Sequence, residues 1–296
     1  MLVLKLAYSG ELDFVEELQE LKDMLKKKGI IIGLVESLEG KTHVIKIMCD
    51  DKSYNEKTCN TVSLYISNIL YEVVIGKYKE KEMFEFITDT YFFLKQNEIL
   101  EVEEEIMNVL NLKERPKDEI FIYCNNKVNS IIEKIKECVD ENKEININGF
   151  ITFRMKELRE DIESIIDKVI EKYMVEKEYK EFIRLLKYFV DIQESKIDEV
   201  NIIVQNSGGY IITDGNGSDI FRLFLKDLSD CNVGIDANVE DIIISGLITN
   251  SPKKIIIHKK ESCPNKEFLE TIENVFGNRV SFCQGCEECL STKINK

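Results

Sequence analysis

The sequence predicts an α/β protein, α+β overall, and three observations carry that expectation. Short alternating apolar runs open the chain. A long central stretch repeats apolar residues at helical spacing, with no Gly or Pro from 154 to 190. After Ser195, strand-like and helix-like runs alternate. The expected organisation is an N-terminal region of strands and helices over 1–115, a helical middle over 116–195 and a small C-terminal α/β domain over 196–296.

Leu2–Tyr8 alternates and reads as a strand. Leu12, Val15, Leu18, Leu21 and Leu25 follow helical spacing, and Gly29 stops that helix behind Lys26, Lys27 and Lys28, which suit its negative end. Ile30–Val35 and Thr42–Cys49 read as strands joined at Gly40. From Glu56 to Leu112 the pattern is mostly helical. Val62, Tyr65, Ile66, Ile69 and Val73 mark one face, Met83, Phe84, Ile87, Tyr91 and Leu94 a second, and Ile106, Val109 and Leu110 a third.

Pro116 sits in a charged joint, Lys113–Glu119, which is the best linker candidate of the first half. Ile120–Cys124 reads as a short strand, and Ile131, Ile132, Ile135 and Val139 as a helix. Leu158, Ile162, Ile165, Val169 and Tyr173 continue at helical spacing, as do Tyr179, Phe182, Leu186 and Phe189. The charged run Glu176–Glu178 is expected to divide these into two helices, and the aromatic stripe is expected to pack. Further on, Val200–Gln205 and Tyr210–Thr213 form a hairpin, followed by helices from Ser218 and over Val239–Thr249. A strand over Lys254–His258, a helix over Asn265–Val275 and a strand over Arg279–Cys283 complete the pattern.

The formal net charge is −15, which disfavours general binding to nucleic acid or to anionic membrane surfaces. No segment approaches the ~18 uninterrupted apolar residues of a spanning helix, so membrane insertion is not expected. Met1–Leu6 lacks the features of a signal peptide, so a cytosolic location is expected. The nine cysteines are then expected to be thiols or metal ligands and not disulfides.

Three of those cysteines fall in seven residues, Cys283-Gln-Gly-Cys286-Glu-Glu-Cys289. Two overlapping Cys-x-x-Cys steps after a strand suit zinc or an iron–sulfur cluster, since thiolates favour these over magnesium or calcium. Both normally need four ligands. Cys263, twenty residues upstream, is the first candidate for the fourth, giving Cys263, Cys283, Cys286 and Cys289, and His258 is a second option. A single zinc would require the sulfurs to stand within about 4 Å of one another. The bacterial ferredoxin run is not matched, because Leu290 to Lys293 follow Cys289 with neither a cysteine nor a proline.

Asp214-Gly-Asn-Gly-Ser-Asp219 opens like a calcium loop but has Asp219 at its sixth position and Leu225 at its twelfth. As a dinucleotide loop it lacks the third glycine, at Ile220. A nucleotide-dependent enzyme is therefore the weakest reading, and a tight turn with Ser218 capping the next helix is the simpler one. His43 and His258 are the only histidines, and His43 has no evident partner in the sequence. There is no Gly-x-Ser-x-Gly elbow, Walker A loop or His-Glu-x-x-His, and the clustered acids read as solvated helix faces. The sequence leans away from an enzyme.

Four phrases carry a resemblance: Asn146-Ile-Asn-Gly-Phe-Ile-Thr-Phe-Arg154, Val175–Gln193, Lys196–Val200 and Pro252–His258. Together they resemble the YtxC-like sporulation proteins of endospore-forming bacteria, most specifically over about 146–204. The resemblance implies a cytosolic, sporulation-associated protein and carries over no mechanism and no catalytic or ligand residues. Acting through a protein partner is the function expected on this basis. A redox protein with zinc or an iron–sulfur cluster at the terminal cysteines is the alternative. Physically, Gly149 and Phe150 mark entry to the long helical region, and Arg154 is expected to pair with Glu157 or Glu160.

Overall fold

The structure is a computed structural model that describes residues 1–10, 15–113, 119–229, 238–286 and 289. The chain divides into two compact units, Met1–Met174 and Val175–Lys296, and the expected α/β mixture is present in both. The interior of the linker candidate at 113–119 lies outside the described residues.

The first unit is built on a four-stranded sheet. β1 (Leu2–Ser9) is followed by α1 (Val15–Lys27) and the hairpin β2 (Ile32–Glu39) and β3 (Thr42–Cys49), while β4 (Glu144–Asn146) arrives much later. The sheet order is β2-β3-β1-β4, with β4 parallel to β1 and the other pairings antiparallel. Between β3 and β4 run α2 (Glu56–Tyr78), α3 (Phe84–Thr90), α4 (Gln96–Leu110) and α5 (Glu119–Glu141). A π-helical turn, Lys79–Met83, joins α2 to α3. The side chain of Asn55 caps α2 by accepting from Thr58 N–H at 2.9 Å.

Ile120–Cys124 is helical, not the strand its apolar run suggests. It begins α5 and shares the face of Val128, Ile131, Ile135 and Val139, where Cys124 is fully buried. Periodicity over five residues cannot separate the two states, and the helix is fixed by the face that continues beyond them.

α6 (Ile147–Ile192) runs unbroken through 46 residues, so Glu176–Glu178 does not divide it. Glu and Lys are good helix formers, and with no Gly or Pro from 154 to 190 nothing breaks the backbone there. The Asn146–Arg154 phrase starts this helix. Asn146 Oδ1 accepts from Gly149 N–H at 3.0 Å, and Asn148 clamps the backbone of Ser9 with bonds of 2.8 and 3.0 Å. Phe150 is buried, and Arg154 pairs with Glu157 as expected. Leu158, Ile162, Ile165 and Val169 enter the first unit's core.

The last part of α6 belongs to the second unit, whose core takes Ile183, Leu186 and Val190 from it. Tyr179, Phe182 and Phe189 stand 44%, 55% and 48% exposed, so most of the aromatic stripe is unpacked. Next come the hairpin β5 (Glu199–Val204) and β6 (Tyr210–Asp214), then α7 (Phe221–Ser229), α8 (Val239–Asn250), β7 (Lys254–His258), α9 (Lys266–Phe276) and β8 (Val280–Phe282). The sheet order is β6-β5-β7-β8. β5, β7 and β8 are parallel, each pair joined by a helical crossover, and β6 is the antiparallel edge. β5 and β7 bury Val200, Ile202, Ile255 and Ile257 completely.

The turn after β6 is an ordinary one. Asp214 Oδ1 accepts from Asn216 and Ser218 N–H at 2.9 Å each, and Gly217 takes φ +82°. Ser218 does not cap the next helix. Asp219 does that work, accepting from Phe221 N–H at 2.8 Å, because the helix starts three residues later than expected.

Candidate metal centre

Parallel strands leave their carboxyl ends on one edge of a sheet, and the loops that follow meet there. In the second unit that edge gathers His258, the last residue of β7, and Cys283, the first residue past β8. The backbone N–H of Cys283 donates to Ile257 O at 2.9 Å, which extends the β7–β8 pairing and fixes the start of the cysteine run. Gly285, at φ +124°, turns the chain back so that Cys286 faces the same point. A β-carbon at that φ would be strained, so the glycine has a definite role in the loop.

His258, Cys283, Cys286 and Cys289 bring one ligand atom each into a group that lies within 4.8 Å. Cys286 and Cys289 sulfurs are 3.7 Å apart, and Cys289 and Cys283 sulfurs 3.8 Å. Nδ1 of His258 stands 3.4 Å from both Cys286 Sγ and Cys289 Sγ. A tetrahedron with Zn–S bonds of ~2.3 Å and a Zn–N bond of ~2.0 Å has edges of about 3.8 Å between sulfurs and about 3.5 Å between sulfur and nitrogen. These four edges match it. A disulfide needs its sulfurs at ~2.0 Å, and no described cysteine is in one.

The imidazole is oriented by a second contact. His258 Nε2 lies 3.1 Å from Asn201 Oδ1, and the ring is only 5% exposed. Asn201 donates its Nδ2–H bonds to Asp214 O at 3.3 Å and to Glu199 Oε1 at 3.4 Å, which leaves its oxygen for the histidine. Nε2 therefore carries the proton, and the Nδ1 lone pair points at the sulfurs. Metal-bound histidines are held in this way, by a hydrogen bond from the nitrogen opposite the ligand atom.

Gly285 N–H points at Cys283 Sγ at 3.4 Å and, as the largest effect, holds that thiol below its ordinary range. Burial pushes the Cys289 thiol up to about 11. A bound divalent cation outweighs such differences, since it deprotonates a coordinating thiol outright.

Cys263, the first candidate for fourth ligand, is not in this group. Its Sγ donates to Asn265 O at 3.1 Å and lies 3.5 Å from the Tyr210 hydroxyl. Tyr210 in turn donates to Glu240, which also accepts from Asn265 Nδ2. Burial, first of several causes, pushes the Tyr210 phenol up, which keeps it a donor. A short helical turn, Lys260–Ser262, carries the chain from His258 to Cys263 and away from the cluster. His258, the second option, is the fourth member of the group.

Asn201 was not visible as part of this site in the sequence. Its signal is two-dimensional: it lies on β5 two residues before Ile203, the residue paired with His258. His43 also gains partners the sequence did not suggest. Its Nδ1 lies 3.1 Å from Glu36 Oε1 across the β2–β3 hairpin, and its ring stacks on Tyr8 at 4.9 Å. Both partners occupy neighbouring strands in the first unit.

Fold and site together define a mixed α/β protein whose C-terminal unit carries a three-cysteine, one-histidine cluster. The family model of the YtxC-like family matches residues 64–281, and the chain belongs to that family. It is 23% identical over 226 residues to the uncharacterised protein YtxC of Bacillus subtilis (strain 168), covering 74% of this chain and 76% of that protein. No solved structure matches. His258 falls within the family match, and Cys283, Cys286 and Cys289 follow its last residue. Among the described residues, no helix is long and apolar enough to cross a membrane.

Proposed function

We infer that the chain is a zinc-binding protein, with one ion held by Cys283, Cys286, Cys289 and His258 Nδ1. The observation that carries this reading is the edge lengths of the ligand group, 3.7 and 3.8 Å between sulfurs and 3.4 Å to nitrogen. They suit one metal. In a four-iron cluster each thiolate binds its own corner iron, which spreads the sulfurs further apart. Three thiolates and a neutral imidazole form one of the ligand sets of structural zinc.

Four protein ligands leave no open position for water or substrate, so the role is structural and not hydrolytic. The ion ties the segment after β8 to the end of β7, and through Asn201 to β5. Zinc affinity and folding of this edge are then one free energy. Metal analysis of the purified chain tests the reading: about one zinc per chain in colourless protein is expected. A visible iron–sulfur absorption, or metal-free protein after purification with zinc present, overturns it.

The resemblance of the helical phrases supports a second, compatible reading: association with sporulation through protein contacts. Deleting the gene in an endospore former and counting heat-resistant spores tests it. An unchanged yield removes it.

A further inference from the structure

The last turns of α6 carry two apolar faces where a helix on a single unit needs one. Ile183, Leu186 and Val190 pack into the second unit's core. On another arc, Val175, Phe182, Leu185, Tyr188, Phe189 and Ile192 stand 48% to 63% exposed. Leaving out Tyr188, the intervals between them are seven, three, four and three residues. That is the spacing of the contact seam between paired helices.

We propose that this face is a homodimer interface, in which a second copy of the chain lays the same stretch of α6 against it in antiparallel orientation. The first argument is area. Half-exposed side chains of this size present about 100 Å² each, so two copies remove about 1,200 Å² from water, the lower end of specific interfaces. A single apolar patch of about 600 Å² is at the limit of what monomers expose.

The second argument is the match of residues. Parallel pairing sets Glu178, which falls on the seam, opposite its own copy, like charge against like charge. Antiparallel pairing with Phe182 opposite Ile192 sets Leu185 opposite Phe189, so the seam meets itself. It also carries Glu178, the polar interruption of the seam, clear of its own copy. An isologous interface of this kind closes on itself and stops at two copies.

Sedimentation equilibrium of the full-length chain tests the proposal. A dimer is expected that dissociates only below about 10 μM. The double variant Phe182→Glu with Phe189→Glu is expected to weaken dimerisation at least a hundredfold. Lys187→Glu, outside the seam on the same helix, is expected to leave it unchanged. Circular dichroism checks that each variant folds, and Leu185→Arg replaces the double variant if that one does not. A wild-type chain that is monomeric at about 100 μM overturns the proposal. So does a folded seam variant that dimerises as well as the wild type. Either result would assign the face to a different occupant.

Discussion

Nε2 of His258 stands 3.1 Å from Oδ1 of Asn201, on the neighbouring parallel strand, and that contact determines which face of the imidazole meets the cysteines. A histidine at a strand end can turn about two bonds, and only one orientation brings Nδ1 to 3.4 Å from two sulfurs. Asn201→Leu removes the acceptor while keeping the side-chain size. Zinc affinity is expected to fall about 10- to 100-fold, read by competition with a chromophoric chelator. Asn201→Asp keeps an oxygen in place and is expected to retain the affinity. Equal loss in both variants would mean that the residue acts through packing alone.

Two ligand sets separate cleanly by substitution. The group in the structure predicts that Cys263→Ser keeps about one zinc per chain, while Cys283→Ser and His258→Ala each lose it during gel filtration. The thiol of Cys263 is bonded to Asn265 O and lies beside Tyr210, so its replacement by a hydroxyl keeps a donor there. Zinc lost from Cys263→Ser and kept by His258→Ala would restore the four-cysteine set.

Three of the four residues in the cysteine–histidine group are legible in the sequence because they sit in one short run. The fourth stays open between Cys263 and His258, because twenty residues of spacing to Cys263 say nothing about where parallel strands end. That information lies in the pairing of β7 with β8, where Ile257 stands opposite Phe282. The same limit applies elsewhere. Leu158 to Val169 announced a buried face, since local periodicity is enough for an amphipathic helix. Periodicity did not reveal that Phe182 and Phe189 lie on an arc different from Leu186, nor that Ile120–Cys124 belongs to a helix continuing to Glu141.

In the first unit, Asp161 of α6 accepts from Lys127 and Lys134 of α5, with its side chain only 14% exposed. Burial alone would raise its carboxyl, but the two ammonium groups outweigh it and hold the carboxyl below its usual range. A carboxyl lowered on folding stabilises the protein above its unfolded-state value, near pH 4, and the contribution disappears as pH falls through the folded value. Asp161→Asn is therefore expected to cost about 1 kcal/mol at pH 7, since both lysines are partly in water. The cost should shrink progressively below about pH 4. Urea titrations at the two pH values measure it, and a cost independent of pH would show that lost hydrogen bonding, not charge, is responsible.

Gly246 lies inside α8, where glycine ordinarily costs about 1 kcal/mol relative to alanine. On that ground alone Gly246→Ala should stabilise the second unit. The structure reverses the sign. A β-carbon at 246 would lie 2.1 Å from Cγ and 2.7 Å from Cβ of Phe224, which is fully buried in α7. The near atoms are the root of the ring and not the tip of a flexible chain, so a change of rotamer does not clear them. α7 and α8 would have to part, at a cost of about 1–3 kcal/mol from disturbed packing. Net destabilisation is expected, seen as a lower melting temperature. Adding Phe224→Leu, which trims the ring that overhangs the helix, is expected to recover part of it. If Gly246→Ala raises the melting temperature instead, the two helices do not pack as closely as the Phe224–Gly246 contact requires.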